Sequence, residues 1–78
     1  MSARALEFVE TWVSEKIDEE GWPEEDRQES VAKQWAAGCR DAAMQEGILN
    51  QEIDEAFDDL VEFIVGELEE ARERARGQ

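Results

Sequence analysis

Residues 53–71 read IDEAFDDLVEFIVGELEEA, and the spacing of the apolar letters in this stretch decides the fold. At 100° per residue, Ile53, Phe57, Leu60, Ile64, Leu68 and Ala71 fall within an arc of about 80° on one side of a helix. Glu55, Asp59, Glu62, Glu69 and Glu73 crowd the opposite side. This period predicts one amphipathic helix over about residues 51–75. Arg72, Arg74 and Arg76 stand at its end, where cations suit the negative pole of the helix dipole, and residues 76–78 are expected to fray. Val61 and Val65 on one flank, with Ala56 and Phe63 on the other, widen the apolar arc to about 200°. Two packed neighbours cover less than that. The excess predicts either a central helix or a flank that docks against another chain.

The same periodicity continues upstream. A first helix over about residues 3–20 carries Leu6, Val9, Val13 and Ile17 in one stripe, with Phe8 and Trp12 beside it and Ser2 as its cap. Gly21 should stop it, and Pro23 suits the first turn of a second helix over about residues 24–46. Glu24, Glu25 and Asp26 then face the positive pole of that helix. Its stripe is Val31, Trp35, Cys39 and Ala42, bordered by Ala32 and Ala43, and Gly38 beside the stripe predicts a close approach by a neighbouring helix. Gly47 reads as a helix stop, Ile48 and Leu49 as residues folding back onto the core, and Asn50 as the cap of the third helix. Short connections favour antiparallel neighbours, so residues 1–78 are expected to form one all-α domain, a small antiparallel three-helix bundle.

Composition limits what such a domain can do. Among 78 residues, 22 are Asp or Glu and 8 are Lys or Arg, a formal charge of −14 with no histidine. Direct binding of nucleic acid by phosphate neutralisation is therefore not expected. The apolar share of 41%, with three Trp and three Phe, is too high for a disordered acidic tail. The longest apolar run, Phe63-Ile64-Val65, is far short of the roughly 20 residues of a membrane span. A single Cys39 has no partner for an internal disulfide, and no charged-then-apolar leader opens the sequence, so a reducing cytoplasm is the expected compartment.

The chemical inventory is equally restrictive. Without His or Tyr, and with one Cys, the usual acid, base and nucleophile sets cannot be assembled, and the acids read as solvated helix faces, so no enzyme is expected. Neither zinc-type Cys/His spacing nor an Asp-rich calcium loop occurs; no metal or other cofactor is expected. Cys39, on an apolar stripe, reads as an inert small hydrophobe. Trp22, at the break after the first helix, and Met44, off its helix stripe, are candidates for a contact surface. Carboxylates at i and i+4 on a helix lie about 6 Å apart, close to the spacing of phosphates, which makes acidic mimicry of DNA a second reading of the charge.

The opening Met1, Ser2, Arg4, Phe8, Trp12 and Val13 resembles the start of a group of small helical proteins from rhizobia. The stretch from Asp41 through Gly47-Ile48 to Glu52-Ile53-Asp54-Glu55 and Asp59-Leu60 is similar to the same group. Within it, the chain resembles the QseM-type antiactivators of symbiosis islands, which restrain quorum-sensing-controlled conjugative transfer. The resemblance implies a protein partner, a transcriptional activator of the LuxR type or an activator of element excision, which is bound and kept off its promoter. The matching residues are packing and capping residues, so no residue role is carried over from the group. From the residues themselves, Val61, Phe63 and Val65, with Met44 and Trp22, framed by Glu55, Asp58, Asp59 and Glu62, are the expected partner-binding set. DNA mimicry and an obligate homodimeric accessory subunit are the alternatives.

Overall fold

Local stops and starts set several of the helix boundaries, and these boundaries place every later feature. The computed structural model describes residues 3–76; the expected Ser2 cap and the fraying of residues 77 and 78 lie outside them, while Arg76, also expected to fray, is still helical. The described residues are all-helical and hold four α-helices: α1, Ala3–Glu20; α2, Gln28–Gln45; α3, Asn50–Ala56; and α4, Leu60–Arg76. A single 3-10 turn, Glu25–Arg27, precedes α2. Gly21 ends α1 at φ +74°, donating its N–H to the Ile17 carbonyl at 2.7 Å. Gly47, at φ +84°, ends α2 with paired bonds: its N–H reaches the Met44 carbonyl at 3.0 Å and the Ile48 N–H reaches the Ala43 carbonyl at 2.9 Å. This is the Schellman closure, and it folds Ile48 into the core beside Ala43.

Three expected boundaries need correction. The second helix starts at Gln28 rather than residue 24, because Glu24 is extended and the chain first makes the 3-10 turn, closed by the Arg27 N–H on the Glu24 carbonyl at 3.0 Å. Arg72 secures this entry from α4, donating to the Pro23 carbonyl at 3.2 Å and to Gln28 Oε1 at 2.7 Å. Leu49, not Asn50, is the cap residue of α3; its N–H is received by Glu52 Oε2 at 3.0 Å. The expected third helix is two helices. Phe57 is extended at φ −132°, ψ 126°, and Asp59 restarts the chain as the cap of α4, its Oδ1 accepting the Glu62 N–H at 3.2 Å.

The buried stripe survives that break. Ile53, Phe57, Leu60, Ile64, Leu68 and Ala71 are all buried, against Val9 and Val13 of α1 and Trp35 and Cys39 of α2. The α2–α4 pairing is the most extensive, and α1 lies against α2, α3 and α4. On α1 the stripe is rotated from expectation: Ala5 is fully buried, whereas Leu6 is 40% exposed. On α2, Ala32, Ala36 and Ala43 are buried, while Val31 and Ala42 are half-buried. Leu49 does not fold back; it is 58% exposed. Gly38 does face Trp12, but a Cβ there would sit 3.5 Å from the Trp12 ring, an ordinary contact that leaves room for a side chain. Among the described residues no helix is long and apolar enough to cross a membrane.

Arg4 binds the start of α1 to α3. Its Nε and Nη2 donate to Glu52 Oε1 and Oε2 at 2.9 and 2.8 Å, and Nη2 also reaches the Gly47 carbonyl at 3.1 Å. Arg40 makes a second tie, from α2 to Asp54 at 2.8 Å.

Candidate functional site

Val61 and Val65 occupy successive turns of α4 on the flank beside its buried stripe, and both are half-buried, packed against the core on one side. They lie along a groove of about 560 Å³ between α4 and the start of α2. Glu25, Gln28, Glu29 and Lys33 form its α2 bank, and Asp59 and Glu62 close the α4 side. Four carboxylates therefore face the groove against one ammonium. That ammonium, on Lys33, is 3.4 Å from Glu29, and both side chains are largely exposed. Gln28 is buried and held by Arg72, so the inner end of the groove is fixed by a hydrogen bond that spans α2 and α4. Val61 and Val65 supply apolar surface, and the acids supply a field attractive to cations. No Ser, Thr or Cys side chain lines this groove.

The expected site residues do not all meet here. Val61, Val65, Asp59 and Glu62 line the groove together. Phe63 is half-buried elsewhere, its ring packed on Phe57 with centroids 4.6 Å apart. Glu55, near the end of α3, and Asp58, in the break, are exposed and do not line it. Met44, in the last turn of α2, is 57% exposed. Trp22, itself exposed, stands over a different groove, about 350 Å³ in volume, with Ile17 and Asp18 of α1 and Glu67, Ala71 and Arg74 of α4. Burial raises the Glu67 carboxyl above its ordinary value, and Glu70 pushes the same way by repulsion and by a hydrogen bond, while Arg74 opposes them.

Glu25, Glu29 and Lys33 are groove residues that the sequence reading left out. Their spacing, i, i+4 and i+8, would put them on one face of an unbroken helix, although Glu25 lies in the 3-10 turn before α2. A wheel drawn for one helix does not show which face of another lies beside it, and the extended chain at Glu24 sets that alignment.

Cys39 is buried in the core, and desolvation pushes its thiol up to about 11, with Arg40 opposing the shift. Among the described residues no group of three or more Cys, Asp or Glu side chains is gathered closely enough to hold a metal ion. Comparison with protein-family models, curated proteins and solved structures found no match.

Proposed function

We propose that this chain is a cytoplasmic, non-enzymatic inhibitor that binds a transcriptional activator and keeps it off its promoter, so restraining conjugative transfer. The partner in this reading is a LuxR-type quorum-sensing regulator or an activator of element excision. The four helices then make an antiparallel bundle with three positions, α3 and α4 sharing the third. The observation that supports the role is the groove: two half-buried valines between banks of carboxylates, on a chain of charge −14. A protein that binds DNA carries a basic, partly apolar surface, which such a groove matches in sign and in character. Apolar contact holds the complex and the acids accelerate encounter.

Acidic mimicry of DNA is the alternative, favoured by the net charge alone. It places the binding energy in the carboxylates, so acid-to-amide changes and added salt would abolish binding almost completely.

The test is capture with the full-length chain from its native host, followed by a promoter-binding assay with the purified pair. A captured LuxR-type or excision regulator that leaves its promoter when the chain is added supports the reading. A captured metabolic complex, or a regulator that stays on its DNA, overturns it.

A further inference from the structure

The geometry points to one kind of occupant for the α2–α4 groove: an amphipathic helix of the partner, with two aliphatic side chains one turn apart on its seam and Lys or Arg on both flanks. This deepens the inhibitor reading and rests on it for the partner's identity, but the chemistry of the recognising element comes from the groove alone.

Val61 and Val65 are one helical turn apart, about 6 Å, which is the spacing at which side chains of a second helix interdigitate. Two adjacent helices leave between them the type of furrow that a further helix fills, and α1 fills another side of the same pair. Strand addition by a partner would need a sheet edge, and the described residues hold no strand. The charges fix the flanks. Glu25 and Glu29 lie on one bank and Asp59 and Glu62 on the other, so a docking helix meets carboxylates on both sides of its apolar seam. The local cation Lys33 already stands by Glu29 and leaves the opposite bank uncompensated. A second copy of this chain fits poorly, since each copy brings a charge of −14.

The experiment titrates the isotopically labelled full-length chain with three synthetic peptides, read by NMR. One is a basic amphipathic helix with the described seam, the second has the same composition in scrambled order, and the third keeps the seam but carries acidic flanks. The expected result is that the first binds, with the largest shifts at Val61, Val65, Glu29 and Glu62, and that the others bind at least about tenfold more weakly. Val61→Ser with Val65→Ser should weaken the first peptide about tenfold or more, while Met44→Ser, outside the groove, should leave it unchanged. Should the valine changes unfold the chain, Glu29→Lys with Glu62→Lys, both at exposed positions, replaces them with the same expected loss.

Equal binding of the scrambled peptide, shifts centred elsewhere, or affinity unaffected by these variants would overturn the proposal. Concentration-dependent shifts at the same residues without peptide would overturn it in favour of a second copy. Inhibition of a captured activator that persists in the groove variants removes the groove and leaves the inhibitor reading standing. Peptide binding at the groove without any captured activator supports the groove and removes the inhibitor reading.

Discussion

The rings of Phe57 and Phe63 meet with centroids 4.6 Å apart and planes inclined by 49°. On an unbroken helix, residues six apart point about 120° away from one another and lie about 9 Å apart along the axis, so this pair requires the break between α3 and α4. The break lets α3 turn to meet α1, where Arg4 and Glu52 join, while Phe57 stays in the core. A tilted aromatic pair contributes about 0.5–1.5 kcal/mol beyond its burial, comparable to a single helical hydrogen bond.

Asp59 is the residue that restarts the helix, through its bond to the Glu62 N–H. Asp59→Ala is expected to destabilise the chain by about 1 kcal/mol in urea unfolding, whereas Asp59→Ser or Asp59→Asn should retain most of the stability. Equal losses for all three would show that the side-chain oxygen does not act as a cap.

Glu52 has two tasks: it receives both Arg4 nitrogens and also the Leu49 N–H. Glu52→Ala is therefore expected to cost more stability than Arg4→Ala, and, since Arg4 also holds the Gly47 carbonyl, the double variant should cost slightly more than Glu52→Ala alone but less than the two single losses added. The Arg4 side chain is well exposed, so added salt should shrink the effect of Arg4→Ala more than that of Glu52→Ala. A double-mutant cycle measured at two salt concentrations checks both orderings.

The end of α1 and the identity of the stripe from Ile53 to Ala71 were legible because each depends on local rules: a glycine stop at Gly21 and a period of 3.6. The break was not legible. No glycine or proline marks residues 57–59, and Asp58 and Asp59 read as two more exposed acids on a long acidic face. What decides it is a contact between Phe57 and Phe63 that exists only after the chain has turned. A helical wheel that weighs size places Leu6 in the core, yet Ala5 is the residue that faces inward. Half of the groove was legible for a related reason: Val61 and Val65 declare themselves as excess apolar surface on one helix, whereas Glu25 and Glu29 become groove residues only through the alignment of two.

Gly66 lies within α4, and a Cβ there meets nothing within 4 Å. Gly66→Ala should stabilise the chain by about 1 kcal/mol through helix propensity. Gly38→Ala should act in the same direction, since its Cβ would meet Trp12 at an ordinary distance. Gly21 and Gly47 give the opposite sign: both have positive φ, and alanine there costs about 1–2 kcal/mol. Thermal melts of the four variants test the contrast, and a destabilised Gly66→Ala would refute it.

Cys39 combines full burial with a thiol raised to about 11, so little thiolate is present or reachable in the native state at neutral pH. A thiol reagent should modify the native chain only at the rate of unfolding and the urea-unfolded chain at once. The sign of the linkage follows. Above about pH 8.5 the unfolded thiol loses its proton while the native one keeps it, so this group lowers stability as pH rises toward 11. Cys39→Ala, despite its cavity, should show a flatter alkaline limb in the same melts.

Glu67 offers the acid-side counterpart. Its carboxyl is raised first by burial, then by Glu70 through repulsion and a hydrogen bond, and by Glu10, against the pull of Arg74. The native state therefore holds this proton more tightly than the unfolded chain does. Below about pH 4.3 both states carry it and the contribution is fully present. As pH rises through that value toward the raised one, the unfolded chain releases the proton first and the contribution is lost. Glu67→Gln keeps the neutral shape at every pH and removes the repulsion of Glu70 and Glu10. It should match the unaltered chain near about pH 4 and exceed it in melting temperature near pH 7, the gap opening between them. Identical melting curves across that range would mean that Glu67 is as well solvated in the folded chain as in the unfolded one. The groove beneath Trp22, which Glu67 lines with Ile17 and Ala71, would then be open to water at that carboxyl.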